Sequence, residues 1–211
     1  MVIGGKAEGL VRLRELGLPV PAFVAIPLGA EIDEPAVAEL GEPLAVRSSA
    51  VGEDATDRSA AGQYETLLGV TRAELRDAVA RVRTATARAE AYGAGTDVAV
   101  VVQREVRATR AGVVFSRAPV TGADEVVIEC ALGGGEAIVS GLVTPDRYRV
   151  RHGRVRARAA GTVRTLRDDE ALAIVSFVRR AEDGFGRPVD VEFCFEGRDL
   201  WLVQCRPITT L

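Results

Sequence analysis

Asp190-Val-Glu-Phe-Cys-Phe-Glu-Gly-Arg-Asp-Leu-Trp-Leu-Val-Gln-Cys-Arg-Pro207 decides how this chain is read. Aromatic and β-branched residues flank a Glu196-Gly-Arg-Asp199 turn, the pattern of two strands joined as a hairpin. Alternate side chains share a strand face, so Asp190 and Glu192 point one way, and Leu202, Gln204 and Arg206 share a face on the return strand. A three-residue loop of Gly197, Arg198 and Asp199 sets Glu192 opposite Gln204 and Asp190 opposite Arg206, about 5 Å apart at Cβ. A carboxylate and an amide oxygen at that separation can share a hard cation such as Mg²⁺. An arginine just beyond them can hold a phosphate that the cation neutralises. A two-residue loop would put Glu192 and Gln204 on opposite faces and dissolve the arrangement. The plainer alternative is an edge hairpin whose polar residues face water.

Working outward, 211 residues suit one domain or two small lobes, and an apolar fraction of 47% is enough to bury a core. A net charge of −3 and a pI near 5.4 give no global attraction to nucleic acid or anionic lipid. The opening Met-Val-Ile-Gly-Gly-Lys lacks the apolar run of a signal peptide, and no stretch approaches a membrane span. Cys130, Cys194 and Cys205 are odd in number and lack paired metal spacing, which fits a reduced, cytoplasmic setting and buried, unreactive thiols. His152 is the only histidine, beside Gly153 in a turn, so a histidine-based metal cluster is excluded.

Gly4-Gly5-Lys6 leads into a short helix with a Leu10, Leu13, Leu16 stripe, ended by Gly17 and Pro19. Glycines before a helix leave N–H groups free to meet an anion, with Lys6 as a point charge beside them; a flexible terminus is the alternative. Leu44 to Ser49 reads as a strand that places Arg47 near its end, where it could clamp a phosphate. The small, polar stretch from Ser48 to Gly62 has the length and composition of a functional loop able to approach a polyphosphate. Glu74 to Tyr92 is a helix, and Asp97 to Gln103 and Val126 to Leu132 are buried strands. From Arg147 to Arg158 arginines alternate with Tyr148, Val150, Val155 and Ala157 around His152-Gly153, a hairpin with one charged face. That face is either simply solvated or a docking surface for a partner or phosphate. Asp168 is expected to cap a last helix, with Leu172, Val175, Val178 and Ala181 inward.

Several stretches, in order along nearly the whole chain, resemble one family. Gly4-Gly-Lys-Ala-Glu-Gly-Leu with Gly17-Leu-Pro-Val-Pro21 is similar to the opening of the nucleotide-binding domain of phosphoenolpyruvate synthases, shared by pyruvate phosphate dikinases and rifampin phosphotransferases. Ala45-Val-Arg-Ser-Ser-Ala50 and Ser59-Ala-Ala-Gly-Gln63 resemble its arginine strand and glycine loop. Val102-Gln-Arg-Glu-Val106 and Ala111-Gly-Val-Val-Phe115 resemble its hinge and following strand. Gly133 to Glu136, Ser140 to Asp146 and Gln204-Cys-Arg-Pro-Ile-Thr209 complete the set.

The resemblance implies an α+β, ATP-grasp fold, in which two lobes of mainly antiparallel sheet and flanking helices hold ATP and Mg²⁺ in a cleft between them. The expected division is 1–95 and 96–211. By position, Lys6, Arg47 and Arg206 would be the catalytic, phosphate-contacting cations. Ser59, Ala60, Ala61 and Gly62 would cover the phosphates, and Gln103, Arg104, Glu105 and Val106 would read adenine, chiefly by backbone. Glu136 would lie in the same cleft, Glu192 and Gln204 would hold the metal, and Asp190 would orient a neighbour. In this family the phosphoryl acceptor is a histidine on a separate swivelling domain. The chain ends where the family continues into that domain, so a separately encoded phosphohistidine protein is the expected partner. A small-molecule acceptor taken directly by a stand-alone kinase or ligase, or a non-catalytic ATP-binding module, are the alternatives. No nucleic acid or membrane partner is expected.

Overall fold

The computed structural model describes residues 1–50, 66–90, 98–134, 143–158, 160 and 164–208, the side chains of 87–90 excepted. Two compact units emerge: Met1–Gly9 with Pro21–Glu105, and Leu10–Val20 with Val106–Leu211. The division therefore does not fall after residue 95. The apolar stretch near residue 100 forms β4 (Ala99–Arg104), which inserts between β1 (Phe23–Ile26) and β2 (Leu44–Ser49) and so belongs to the first unit. Leu13 and Leu18, by contrast, are buried in the core of the second.

In the first unit the sheet order is β1-β4-β2-β3, with β3 spanning Thr66–Val70 and every neighbouring pair antiparallel. One face carries Ile26, Leu44, Val46, Val100 and Val102. It packs on the Leu75, Ala78, Val79, Val82 stripe of α3 (Leu75–Glu90), which follows a short α2 (Glu34–Ala38). The i, i+3, i+4, i+7 spacing of that stripe is what makes α3 a one-sided helix. The opposite sheet face, by alternation, carries Arg47 and Gln103.

The second unit is built on a six-stranded antiparallel sheet of order β10-β9-β5-β6-β7-β8. Its strands are β5 (Arg110–Phe115), β6 (Val126–Leu132), β7 (Asp146–Arg151), β8 (Arg154–Arg158), β9 (Val189–Glu196) and β10 (Asp199–Pro207). A single face, with Val114, Ile128, Tyr148, Val191 and Phe193, is covered by α4 (Asp168–Phe185). The helix is rolled relative to expectation. Ala171, Ile174, Val178 and Ala181 face inward, while Leu172 is 38% exposed. The cause lies in its first turn: Arg167, not Asp168, is the N-cap, and its N–H donates to the Glu170 carboxylate at 2.9 Å. Glu170 is itself drawn inward by Arg110, whose two terminal nitrogens each donate to it at 2.9 Å, and Ala171 follows it inward. Arg110 also lies 4.2 Å over the Phe195 ring and donates to the Thr165 carbonyl. Nearby, buried Asp146 accepts from Ala160 N at 2.6 Å, Thr165 N at 2.7 Å and the Tyr148 hydroxyl at 3.2 Å, fixing the chain that enters the helix. No helix among the described residues is long and apolar enough to cross a membrane.

Candidate functional site

The last ribbon reaches the expected pairing by an unexpected route. Its turn is the short one: Asp199 pairs with Glu196, so only Gly197 and Arg198 are unpaired, and Gly197 takes φ +63. On that register Glu192 would face Val203. The register instead slips between Leu202 and Gln204, after which Gln204 pairs with Glu192 and Arg206 with Asp190. Val203 is the extra residue of a β-bulge, where two residues on one strand oppose one on the other. Burial marks the same step: Leu202 and Cys205 belong to the main core, whereas Val203 joins a small cluster on the opposite face. Two consecutive side chains thus leave the core side together, and the parity lost at the turn is restored.

The outward face of β9 consequently presents three successive environments. At Cys194 it is apolar, in a cluster with Ala111, Val203, Trp201, Val106 and Ala108. One alternation on lies the Glu192–Gln204 pair. A further alternation on, Arg206 Nε donates to both carboxylate oxygens of Asp190, at 3.0 and 2.9 Å. Four residues of strand separate the apolar end from the arginine end, about 13 Å. The apolar members, Cys194, Trp201 and Val203, read in the sequence as ordinary core residues; Val203 reaches this side by plain alternation from Trp201, and the bulge brings Gln204 out beside it.

In the first unit, Gly4 and Gly5 prove to lie inside the helix, α1 (Gly4–Glu15), and two of the N–H groups at its start are already taken within the protein. Gly5 N donates to Ala50 O at 3.1 Å and Ala7 N to Ser49 Oγ at 3.0 Å, while Ser49 Oγ donates to Ile3 O at 2.7 Å. The glycine is needed for close approach instead: at φ +73, a Cβ on Gly4 would stand 1.9 Å from the Ser49 carbonyl oxygen. This junction ties the helix that bears Lys6 to the end of the strand that bears Arg47, so the two cations are set by one piece of backbone. Gln103 pairs with Ala45 and Phe23, and Arg47 with Val101, across the same sheet. Gln103 is 1% exposed, and its amide nitrogen has no hydrogen-bond partner among the described residues. A buried donor of that kind is what a bound polar ligand would satisfy.

The hinge from Gln103 to Val106 is partly committed already. Arg104 N donates to Ala22 O, Glu105 N to Pro43 O, and the Glu105 carboxylate accepts from Gly69 N. The Val106 N–H has no acceptor among the described residues. Ser59, Ala60, Ala61, Gly62 and Glu136 lie outside the described residues.

Among the described residues no three His, Cys, Asp or Glu side chains cluster as a metal cage. Mg²⁺ does not require such a cage, being commonly held by one or two protein oxygens with phosphate and water completing its octahedron. Glu192 and Gln204 are both hard oxygen donors, and they fit. All three cysteines are buried and none is in a disulfide; burial pushes the Cys130 thiol up to about 11, which suppresses the thiolate.

Comparisons with known proteins identify the family and the fold. The sequence matches the family described as pyruvate phosphate dikinase, AMP/ATP-binding domain, over residues 27–162 and 154–211. Rifampicin phosphotransferase of Streptomyces sp. is 38% identical over 240 residues, covering 95% of this chain and 27% of that one. Phosphoenolpyruvate synthase of Pyrococcus furiosus is 34% identical over 215 residues, covering 80% and 26%. The chain spans about a quarter of the length of these relatives. Among solved structures, D-alanine–D-alanine ligase from Bacillus anthracis complexed with ATP superposes with a TM-score of 0.58 at 11% identity, over 99% of this chain and 56% of that one. N5-carboxyaminoimidazole ribonucleotide synthetase, as an ADP complex, gives 0.57 at 12% identity, over 97% and 45%. At such identities the likeness is one of fold: two antiparallel sheets with flanking helices, the α+β ATP-grasp architecture.

Proposed function

Because the chain belongs to the pyruvate phosphate dikinase AMP/ATP-binding domain family, we propose that it is the ATP- and Mg²⁺-binding component of a phosphotransferase, which passes phosphate from ATP to a histidine on a separate partner protein or domain. The observation that carries this reading is the succession on one face of β9 and β10: an apolar patch, then the Glu192–Gln204 pair, then the Asp190-anchored Arg206. A nucleotide has the same succession of base, metal-bridged phosphates and terminal phosphoryl group.

Phosphoryl transfer asks little covalent work of a protein and much positioning and charge neutralisation. Bound Mg²⁺ would supply charge between phosphate oxygens, with Glu192 and Gln204 holding it. Arg206, fixed at Nε by Asp190, would meet the transferred group, and Lys6 and Arg47 would bind phosphate oxygens. Gln103 to Val106 would read adenine, with the Val106 N–H as the remaining backbone donor. By resemblance alone, Ser59 to Gly62 would cover the phosphates and Glu136 would join them.

Calorimetry with ATP, with and without Mg²⁺, tests the binding half. Labelled ATP, offered with a histidine-bearing protein encoded beside this chain, tests the transfer half. Metal-dependent binding and labelled partner are expected; a chain indifferent to ATP would end the proposal.

A further inference from the structure

Strands β7 and β8 carry arginine at every outward position. Arg147 stands opposite Arg158, Arg149 opposite Arg156 and Arg151 opposite Arg154. All six are exposed. The turn between the strands, His152 at φ 50 and Gly153 at φ 71, is the two-residue kind that locks this register. Like charges directly opposite on a ribbon are destabilising. Only two of the six, both on β7, are relieved: Arg147 Nε donates to Glu129 at 2.9 Å and Arg149 Nε to Glu125 at 2.7 Å. Arg151, Arg154, Arg156 and Arg158 have no carboxylate among the described residues.

Protection of a sheet edge accounts for some charge on β8, which ends the sheet. It does not account for β7, an interior strand, carrying the same charge in matched rows. Nor does the chain as a whole favour cations, at net charge −3. The position of the grid is informative. Arg158, Arg147, Glu129, Val113, Glu192 and Gln204 are successive partners across one row of the sheet, so all face the same side. Four strand spacings, about 19 Å, separate Glu192 from Arg158. A body seated on the arginines would overhang the face that bears the acid–amide pair.

We propose that the arginine face of β7 and β8 docks an acidic surface of the protein that receives the phosphate. Its placement rests on the reading of Glu192, Gln204 and Arg206 given above; its charge chemistry does not. An acidic protein surface is favoured over nucleic acid because every outward position of the ribbon is arginine, with no aromatic side chain among them on which a base could stack.

The test uses two fluorescent probes of equal formal charge, a Glu-rich peptide and a single-stranded RNA, titrated against the whole chain at low and moderate salt. The peptide is expected to bind more tightly than the RNA and to weaken with salt. Arg154→Glu with Arg156→Glu should reduce peptide affinity at least tenfold, whereas the control pair Arg76→Glu with Arg198→Glu, equal in charge change, should alter it less than twofold. Tighter RNA binding, absent peptide binding, or equal loss in both pairs would overturn the proposal. ATP calorimetry on the same samples keeps the two readings apart. Peptide binding without ATP binding sinks the nucleotide reading alone, and ATP binding unchanged beside failed peptide binding sinks the docking face alone.

Discussion

Both carboxylate oxygens of Asp190 accept from a single nitrogen, Nε of Arg206, at 3.0 and 2.9 Å, so the guanidinium is gripped by its stem side. Asp190 is mostly buried while Arg206 is half exposed, which makes the aspartate the fixed partner and the arginine the one being aimed. Asp190→Asn keeps the shape and removes the charge assistance. If Arg206 meets the transferred phosphoryl group, kcat for phosphotransfer should fall roughly tenfold or more, with ATP affinity changed by less. Equal changes in kcat and affinity would assign Asp190 to packing alone.

Glu192→Ala and Gln204→Ala remove the proposed metal donors from a face that is not the main core, so circular dichroism and melting should change little. Mg²⁺-dependent ATP turnover should drop by about two orders of magnitude in each. Wild-type kinetics in both variants would put the metal elsewhere.

Gly4→Ala places a Cβ against the Ser49 carbonyl at a backbone angle of +73 that side chains avoid. The helix start must move or the junction must open. Urea titration should show a loss of about 1–3 kcal/mol. A stability equal to wild type would mean that the helix start shifts without cost.

Glu170 is held by two hydrogen bonds from Arg110 and by the Arg167 N–H, and the Arg110 bonds chiefly keep its carboxyl below the ordinary carboxylate range, against burial. Glu170→Ala leaves Arg110 buried without its counterion and should cost about 3–5 kcal/mol in chemical unfolding. Replacing both with methionine should recover much of that loss, because the cost lies in the abandoned charge.

Asp146 is also lowered: burial raises it, but the Ala160, Thr165 and Tyr148 hydrogen bonds together outweigh burial. A depressed folded pKa means that the stabilisation is present above the unfolded value and is lost as pH falls through the folded one. Asp146→Asn should therefore flatten the acid limb of the stability profile, at pH below about 4, and leave the neutral-to-alkaline limb parallel to wild type. An unchanged acid limb would show that other carboxylates govern it.

Much of the architecture was legible because periodicity is a local signal. Leu44–Ser49 and Val126–Leu132 are strands at the expected bounds, and the Arg147–Arg158 hairpin turns at His152-Gly153. What escaped depends on partners distant in sequence. The roll of α4 is set by Arg110, 60 residues from Glu170. Assignment of Ala99–Arg104 to the first unit is settled by its pairing with β1 and β2. Gly4-Gly5-Lys6 looked like a cradle for an anion because sequence cannot display Ser49 and Ala50 taking the nearby N–H groups. The pairing of Glu192 with Gln204 was foreseen from a three-residue turn, yet the turn has two residues, and nothing about Val203 announces a bulge.

That bulge has a consequence for comparing relatives residue by residue. A homologous ribbon with one more residue at its tip and a flat return strand would present the same acid and the same amide across from each other. The two ribbons have equal numbers of residues between acid and amide, so residue counting draws no gap, while strand pairing draws one at Gly197-Arg198 and a second, opposite in sign, at Val203. A change of turn length is therefore silent whenever the bulge offsets it, and correspondence here belongs to the ladder rather than to the numbering.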